Sequence, residues 1–213
     1  DQFLKAAILQ LADDGLLNLN DTPHAILGDI VANIDNADTA TVQQLLDHTS
    51  GIYSFDQNPD WIRRSRGIQL NPKYRWRKEE PLKYANRDQH GAVHEPGVAT
   101  TYSKSNATIL GLIIEKTSGG LLEDEIRKRV LEPLNLKDTY YDGFEFPPLG
   151  RLIGSYHLGT DEFIKNVGIN AKFEFDGNRL INTSDTSLSS EGVASGIIST
   201  PRDLAVFSAT LGK

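Results

Sequence analysis

The chain opens on "DQFLKAAILQLADDGLLNLND", where apolar residues recur at helical spacing. Phe3, Ala7 and Leu11 share one face and Leu4 and Ile8 widen it, so a helix is predicted from the start, with Gly15 as its stop. Two alternating leucines and a Thr22-Pro23 turn follow. In "TATVQQLLDHTSGI", Thr41 suits an N-cap with Gln44 at N3. Val42, Leu45 and Leu46 then form the buried face, and Gly51 ends the helix. Residues 54–94 are polar, with proline, arginine and aromatics, which predicts short helices and loops. From about Ser105, "NATILGLIIEKTSGG" is a strongly apolar helix ending at Gly119. "LLEDEIRKRVLEPLNL" is a second, amphipathic helix broken at Pro133, with Asp124–Lys128 and Glu125–Arg129 paired on its wet face. "TYY", "LIGSYHLG", "EFIKN" and "KFEFDGNRLI" read as short strands. The last alternates Phe173 and Phe175 and carries Asp176-Gly177, which could turn a hairpin. "SSEGVASGIIST" is a glycine-rich loop leading into a final helix with Thr200 as N-cap, Pro201 at N1 and Asp203 at N3. Helices come first and strands later, an α+β order, with no internal repeat.

Both ends change the picture. The first helix is apolar at once, with no strand or turn before it, and the last has nothing after it for its apolar face to support. The expectation is an internal piece of a longer protein. At 38% hydrophobic and 24% charged residues the chain has an ordinary globular composition. Its net charge of −7 argues against nucleic acid, because phosphate binding needs clustered lysine and arginine. The basic, aromatic run from Trp61 to Tyr84, "WIRRSRGIQLNPKYRWRKEEPLKY", is a local exception that could form an anion or RNA patch or a solvated loop. Without cysteine there are no disulfides and no thiolate metal sites. No signal peptide and no apolar run long enough to span a membrane is present.

Common nucleophile signatures are missing. Gly192–Gly196, "GVASG", does not fit the G-x-S-x-G spacing, and there is no S-x-x-K. Thr101–Lys104, "TYSK", fits a loose [ST]-x-x-K, which on a helix would set a hydroxyl and an amine one turn apart. His90 and His94 have i,i+4 spacing, but Gly91 and Pro96 oppose a rigid helix and no third zinc ligand is evident. His48 in "DHTSG" could act as a base or simply close a helix. There is no phosphate-binding loop and no dinucleotide fingerprint. Tyr102 follows a Pro-Gly turn and precedes the apolar helix, so it can be held rigidly. Surrounding cations would lower its pKa towards that of a general base; otherwise it is a core tyrosine with a satisfied hydroxyl.

Five stretches in series, "ILQLADDGLLNLND", "TVQQLLDHTSGI", "EPGVATTYSKSNATILGLIIEKTSG", "VLEPLNLKDTYY" and "EGVASGIISTPRDLAVFSATLGK", resemble the serine beta-lactamase-like superfamily over nearly the whole chain. The branch they resemble holds class C beta-lactamases, D-alanyl-D-alanine carboxypeptidases and related esterases. The resemblance implies an α+β fold, a helical domain against an antiparallel sheet, with sheet strands missing at both ends. It makes residues 1–213 one incomplete domain, mostly helical to about 140, then strands and a returning helix. It implies that the family's S-x-x-K lysine falls at about Asp1, its serine three residues earlier, and its K-T-G or H-T-G motif after Lys213. Only the middle motif, Y-x-N, would lie within the chain, at Tyr102-Ser103-Lys104. The implied catalytic residues are Tyr102, as general base or proton relay, and Lys104, which stands where the family has asparagine. A cation there would repel the S-x-x-K lysine unless it points away, so an esterase-like or weakened member fits better. The implied reaction is acyl transfer to water from a lactam, a D-Ala peptide or an ester, through a serine ester held by backbone donors. It needs no cofactor and no metal; the expected partner is a small-molecule or peptide substrate, without nucleic acid. A periplasmic or secreted location is implied, and the oligomeric state is open. The alternative is a non-catalytic binding or scaffold protein with the same fold.

Overall fold

A computed structural model describes residues 1–148, 150, 152–173, 175–176, 179–184 and 186–211. Helix α1 (Gln2–Asp13) buries Phe3, Leu4, Ala7, Ile8 and Leu11, the face set by its periodicity. Helix α2 (Pro23–Leu27) corrects the Thr22-Pro23 turn: the Thr22 hydroxyl accepts from the Ala25 N–H, so the pair is a helix start with proline at N1. Helix α3 (Val42–Leu46) has a full capping box between Thr41 and Gln44. It ends at Leu46 rather than at Gly51. Gly51 instead allows a close backbone crossing. It sits at φ +69°, and a Cβ there would lie 1.9 Å from the His94 carbonyl oxygen.

Short helices fill the polar stretch, including α4 (Pro59–Ser65) and 3-10 turns at 55–57 and 80–85. Several of its cations pair with carboxylates. Arg64 reaches Glu80, Arg66 reaches Glu191, Lys78 holds both Glu115 and Glu123, and Lys83 reaches Glu80. Much of the run's charge is therefore matched by carboxylates, while Lys73, Arg75 and Arg77 stay exposed, as in the solvated-loop alternative. Helix α5 (Lys104–Ser118) is the centre of the fold: α1, α2, α3 and α6 (Leu122–Ile126) pack around it, and residues 105–114 are all buried. A helix apolar on all sides is stable only when enclosed in this way. After α6 the chain runs into a π-helical turn at 127–131. Glu125 is buried and pairs with Arg129 at 2.8 Å, so this pair is not on the wet face; Lys128 reaches Glu125, not Asp124.

The strands are short and antiparallel. β1 (Tyr140–Tyr141) pairs with β5 (Ile197–Ile198). β2 (Tyr156–Leu158), β4 (Leu180–Asn182) and β3 (Phe175–Asp176) form a second sheet in that spatial order. The Asp-Gly turn falls on Gly177, outside the described residues. "EFIKN" is not a strand: it lies in α7 (Asp161–Val167), capped by the Thr160 hydroxyl on the Phe163 N–H and stopped by Gly168. Helix α8 (Pro201–Thr210) starts as its sequence predicts, with the Thr200 hydroxyl accepting from the Asp203 N–H. Among the described residues, no helix is long and apolar enough to cross a membrane.

Candidate active site

The start of α5 is laced to the 48–55 segment by hydrogen bonds from nearly every residue. The Thr101 N–H donates to the His48 carbonyl (2.9 Å) and the Lys104 N–H to the Ser54 hydroxyl (2.9 Å). The Ser105 hydroxyl donates to the Tyr53 carbonyl (2.7 Å) and accepts from the Phe55 N–H (3.1 Å). The Ser50 hydroxyl donates to Asn106 Oδ1 (2.8 Å). Ser105 and Asn106 are fully buried, so these bonds are shielded from water and fix the turn that presents Tyr102.

Tyr102 is 52% exposed, which corrects the reading of it as a core residue. Its ring lies 4.7 Å from the His48 ring, tilted by 42°. His48 is at φ +56°, a left-handed conformation that costs a non-glycine residue energy and here turns its ring back towards α5. The Ser103 N–H (3.4 Å) and the Asn106 amide (3.3 Å) both point to His48 Nδ1. A backbone N–H can only donate, so Nδ1 is the acceptor and the neutral ring carries its proton on Nε2, 3.4 Å from the Asp1 carboxylate. His48 thus props Tyr102 instead of merely closing α3.

Burial pushes the His48 imidazole below its usual range; Lys5 adds to this, and Asp47 opposes it. The unfolded chain then takes up the proton first on acidification. Stability should be intact above about pH 6.5 and fall below it, until the lowered folded value is reached. His157 contributes with the same sign. His48→Asn, which tolerates the left-handed backbone, should make this part of a urea-denaturation stability curve shallower; an unchanged slope would show that His48 is not the group responsible.

The Tyr102 hydroxyl is pushed above its usual range, first by burial and then by the carboxylates of Asp56 and Glu191. The charges that act on it are anions, so the condition for a lowered pKa, surrounding cations, is not met among the described residues. Lys104 Nζ lies 2.5 Å from Glu191 Oε2 and 3.6 Å from Asp56 Oδ2. Arg66 holds the other Glu191 oxygen at 2.5 Å. Trp61 lies beside both cations, its ring centre 5.0 Å from the Arg66 guanidinium and 6.0 Å from Lys104 Nζ, and its indole N–H donates to the Ser190 carbonyl (3.0 Å). The ammonium is therefore committed to Glu191 and Asp56. The loop carrying Glu191 sits tight on α5, where a Cβ on Gly111 would lie 2.3 Å from Val193 Cγ2.

The remaining candidates separate. Thr101 lies before α5, not on it, and its hydroxyl meets His94 Nε2 at 3.2 Å, so "TYSK" does not form a hydroxyl–amine pair on one helical turn. His90 stacks on Tyr53 at 4.1 Å while His94 turns to Thr101 and the Glu95 carbonyl. No group of three potential metal ligands occurs among the described residues. A cleft of about 460 Å³ opens beside Tyr102, lined also by Asp1, Gln2, Tyr141 and residues 193–197. Asp56 and Glu191 have no local signal in the sequence, because Glu191 meets Lys104 across 87 positions.

The chain is similar to known proteins along most of its length. The family described as Beta-lactamase matches residues 3–213. Protein flp of Staphylococcus aureus (strain MW2) is 32% identical over 169 residues, 79% of this chain and 32% of that protein. Lovastatin esterase of Penicillium rubens is 26% identical over 149 residues, 63% of this chain and 36% of that protein. The chain thus spans about a third of the length of these relatives. The D-stereospecific amidohydrolase from Streptomyces sp. superposes with a TM-score of 0.82 at 25% identity, over 99% of this chain and 58% of that one. The fold is that of the beta-lactamases and transpeptidases, and the chain belongs to the Beta-lactamase family.

Proposed function

We propose that the chain carries the tyrosine side of a serine acyl-transfer site, acting on an ester or amide carbonyl. The observation that carries this reading is Tyr102: half exposed on a turn fixed by buried hydrogen bonds, and facing a cleft, in a chain of this family. In such a reaction a serine oxygen bonds to the carbonyl carbon while its proton passes through the tyrosine oxygen to the leaving group. Water then attacks the serine ester, and its proton returns by the same route. The Tyr102 phenol suits the relay, because its raised pKa keeps it protonated until a base or cation acts on it. Lys104 takes a structural part in this reading, since its charge is spent on Glu191 and Asp56.

No S-x-x-K occurs in the 213 residues, so the nucleophile of the proposed reaction lies outside them. A fluorophosphonate probe should leave the 213-residue chain unlabelled and label, at one serine, a form in which S-x-x-K precedes residue 1. Stoichiometric labelling of the 213-residue chain would place the nucleophile elsewhere. A longer form that stays unlabelled would favour a binding protein with the same fold.

A further inference from the structure

A second cavity, of about 630 Å³, lies between α4, the β2–β4 sheet and the 3-10 turn at 188–191. Two polar atoms in residues of its wall are buried without a hydrogen-bond partner among the described residues: Ser65 Oγ and His157 Nε2. Ser65 is 6% exposed, and a buried hydroxyl left unmatched costs free energy that a ligand can recover. His157 is held in place by the Phe163 ring at 4.5 Å. Burial and the charge of Arg66 both lower its pKa, so the ring is neutral near pH 7 and sits at the Arg66 end of the cavity. The rest of the wall includes Leu70, Leu152, Leu188 and Ile198. It therefore has a polar end and an apolar body, the usual make-up of a small-molecule site.

The charges at the cavity select the ligand. Arg66 already meets Glu191 at 2.5 Å, and Glu191 and Asp142 both line the space. An anion would have to approach these carboxylates. A cation at the polar end would meet Arg66. An uncharged carbonyl compound escapes both penalties, and its oxygen can accept from the Ser65 hydroxyl or the imidazole N–H.

We propose that this cavity binds an uncharged amide or ester, with its carbonyl at Ser65 and His157 and its apolar body against Leu70, Leu152, Leu188 and Ile198. The site does not depend on acyl transfer at Tyr102. Equilibrium binding therefore tests it separately, and the proposed reaction could fail while this site stands.

The probe is N-benzylacetamide, titrated into the isotope-labelled protein by NMR, with benzylamine and phenylacetate as its charged counterparts. Saturable shifts are expected at residues 65–66, 156–158 and 186–190. The charged probes should bind at least about tenfold more weakly, the cost of bringing an unmatched charge into the cavity. Ser65→Ala should weaken N-benzylacetamide about threefold to tenfold, the range for one hydrogen bond. Leu188→Trp, at a partly exposed wall position, should abolish binding by filling the space while the protein keeps its melting temperature. The proposal is overturned by shifts that do not saturate, by shifts centred elsewhere, by charged probes that bind equally well, or by full binding to a folded Leu188→Trp protein.

Discussion

Tyr102→Phe is expected to slow acyl transfer by roughly 10²–10⁴-fold, the usual worth of a positioned acid–base group, in a form of the protein that carries the serine. The ring contact with His48 survives the substitution, since it involves the ring and not the hydroxyl. The residue is half exposed, so losing the oxygen should change stability by less than about 0.5 kcal/mol. A large rate effect beside a negligible stability effect separates a proton relay from a packing residue. The checking measurement is the single-turnover rate of acylation by a p-nitrophenyl ester, alongside a thermal melt. If the phenylalanine protein acylates within about threefold of wild type, Tyr102 is not the relay. The pH profile gives a second reading. A phenol held above its usual range should not limit the rate as a simple phenolate base with a pKa near neutrality, unless a cation from outside the described residues lowers it.

The parts of this site that are legible in the sequence are those with local causes. The first and central helices follow from 3.6-residue periodicity, with Gly119 stopping the central one, and the last from its Thr200 cap; the place of Tyr102 just before α5 follows too. "DEFIKNV" misleads because its adjacent apolar pair, Phe163 and Ile164, is too short to show a helical or a strand period. The decisive signals are at its ends, Thr160 as N-cap and Gly168 as stop. Glu125 has the sequence setting of a surface residue in a charged helix, yet Arg129 satisfies it inside, and charge patterning alone does not reveal which face turns inward. Lys104 is the hardest residue to place. Its sequence neighbours make it an intruder in a catalytic motif, whereas its partners come from residues 48 and 87 positions away. Contacts at such separation leave no trace in periodicity or capping. Only the fold shows that the cation has its own anions.

Glu191→Gln tests that pairing and should be the most damaging conservative change near the site. Glu191 is 4% exposed and accepts from Lys104 and Arg66 at 2.5 Å each. Glutamine keeps the shape but leaves two cations against the lone carboxylate of Asp56, which is 3.6 Å from Lys104. The cost should be about 3 kcal/mol, the low end for a broken buried pair, because Arg66 can turn part of its guanidinium to water. Urea denaturation measures it. The same change should lower the Tyr102 pKa, since it removes one of the two carboxylates that hold the phenol up; burial and Asp56 should still keep it above its usual value. A ¹³Cζ-tyrosine NMR titration, with Tyr102→Phe to assign the signal, reads this directly. A Tyr102 pKa that stays the same or rises in Glu191→Gln would show that Glu191 does not act on the phenol. Adding Lys104→Asn to Glu191→Gln should recover part of the lost stability, because the freed cation is then gone. Strict additivity of the two changes would mean that Lys104 and Glu191 are neighbours without being energetic partners.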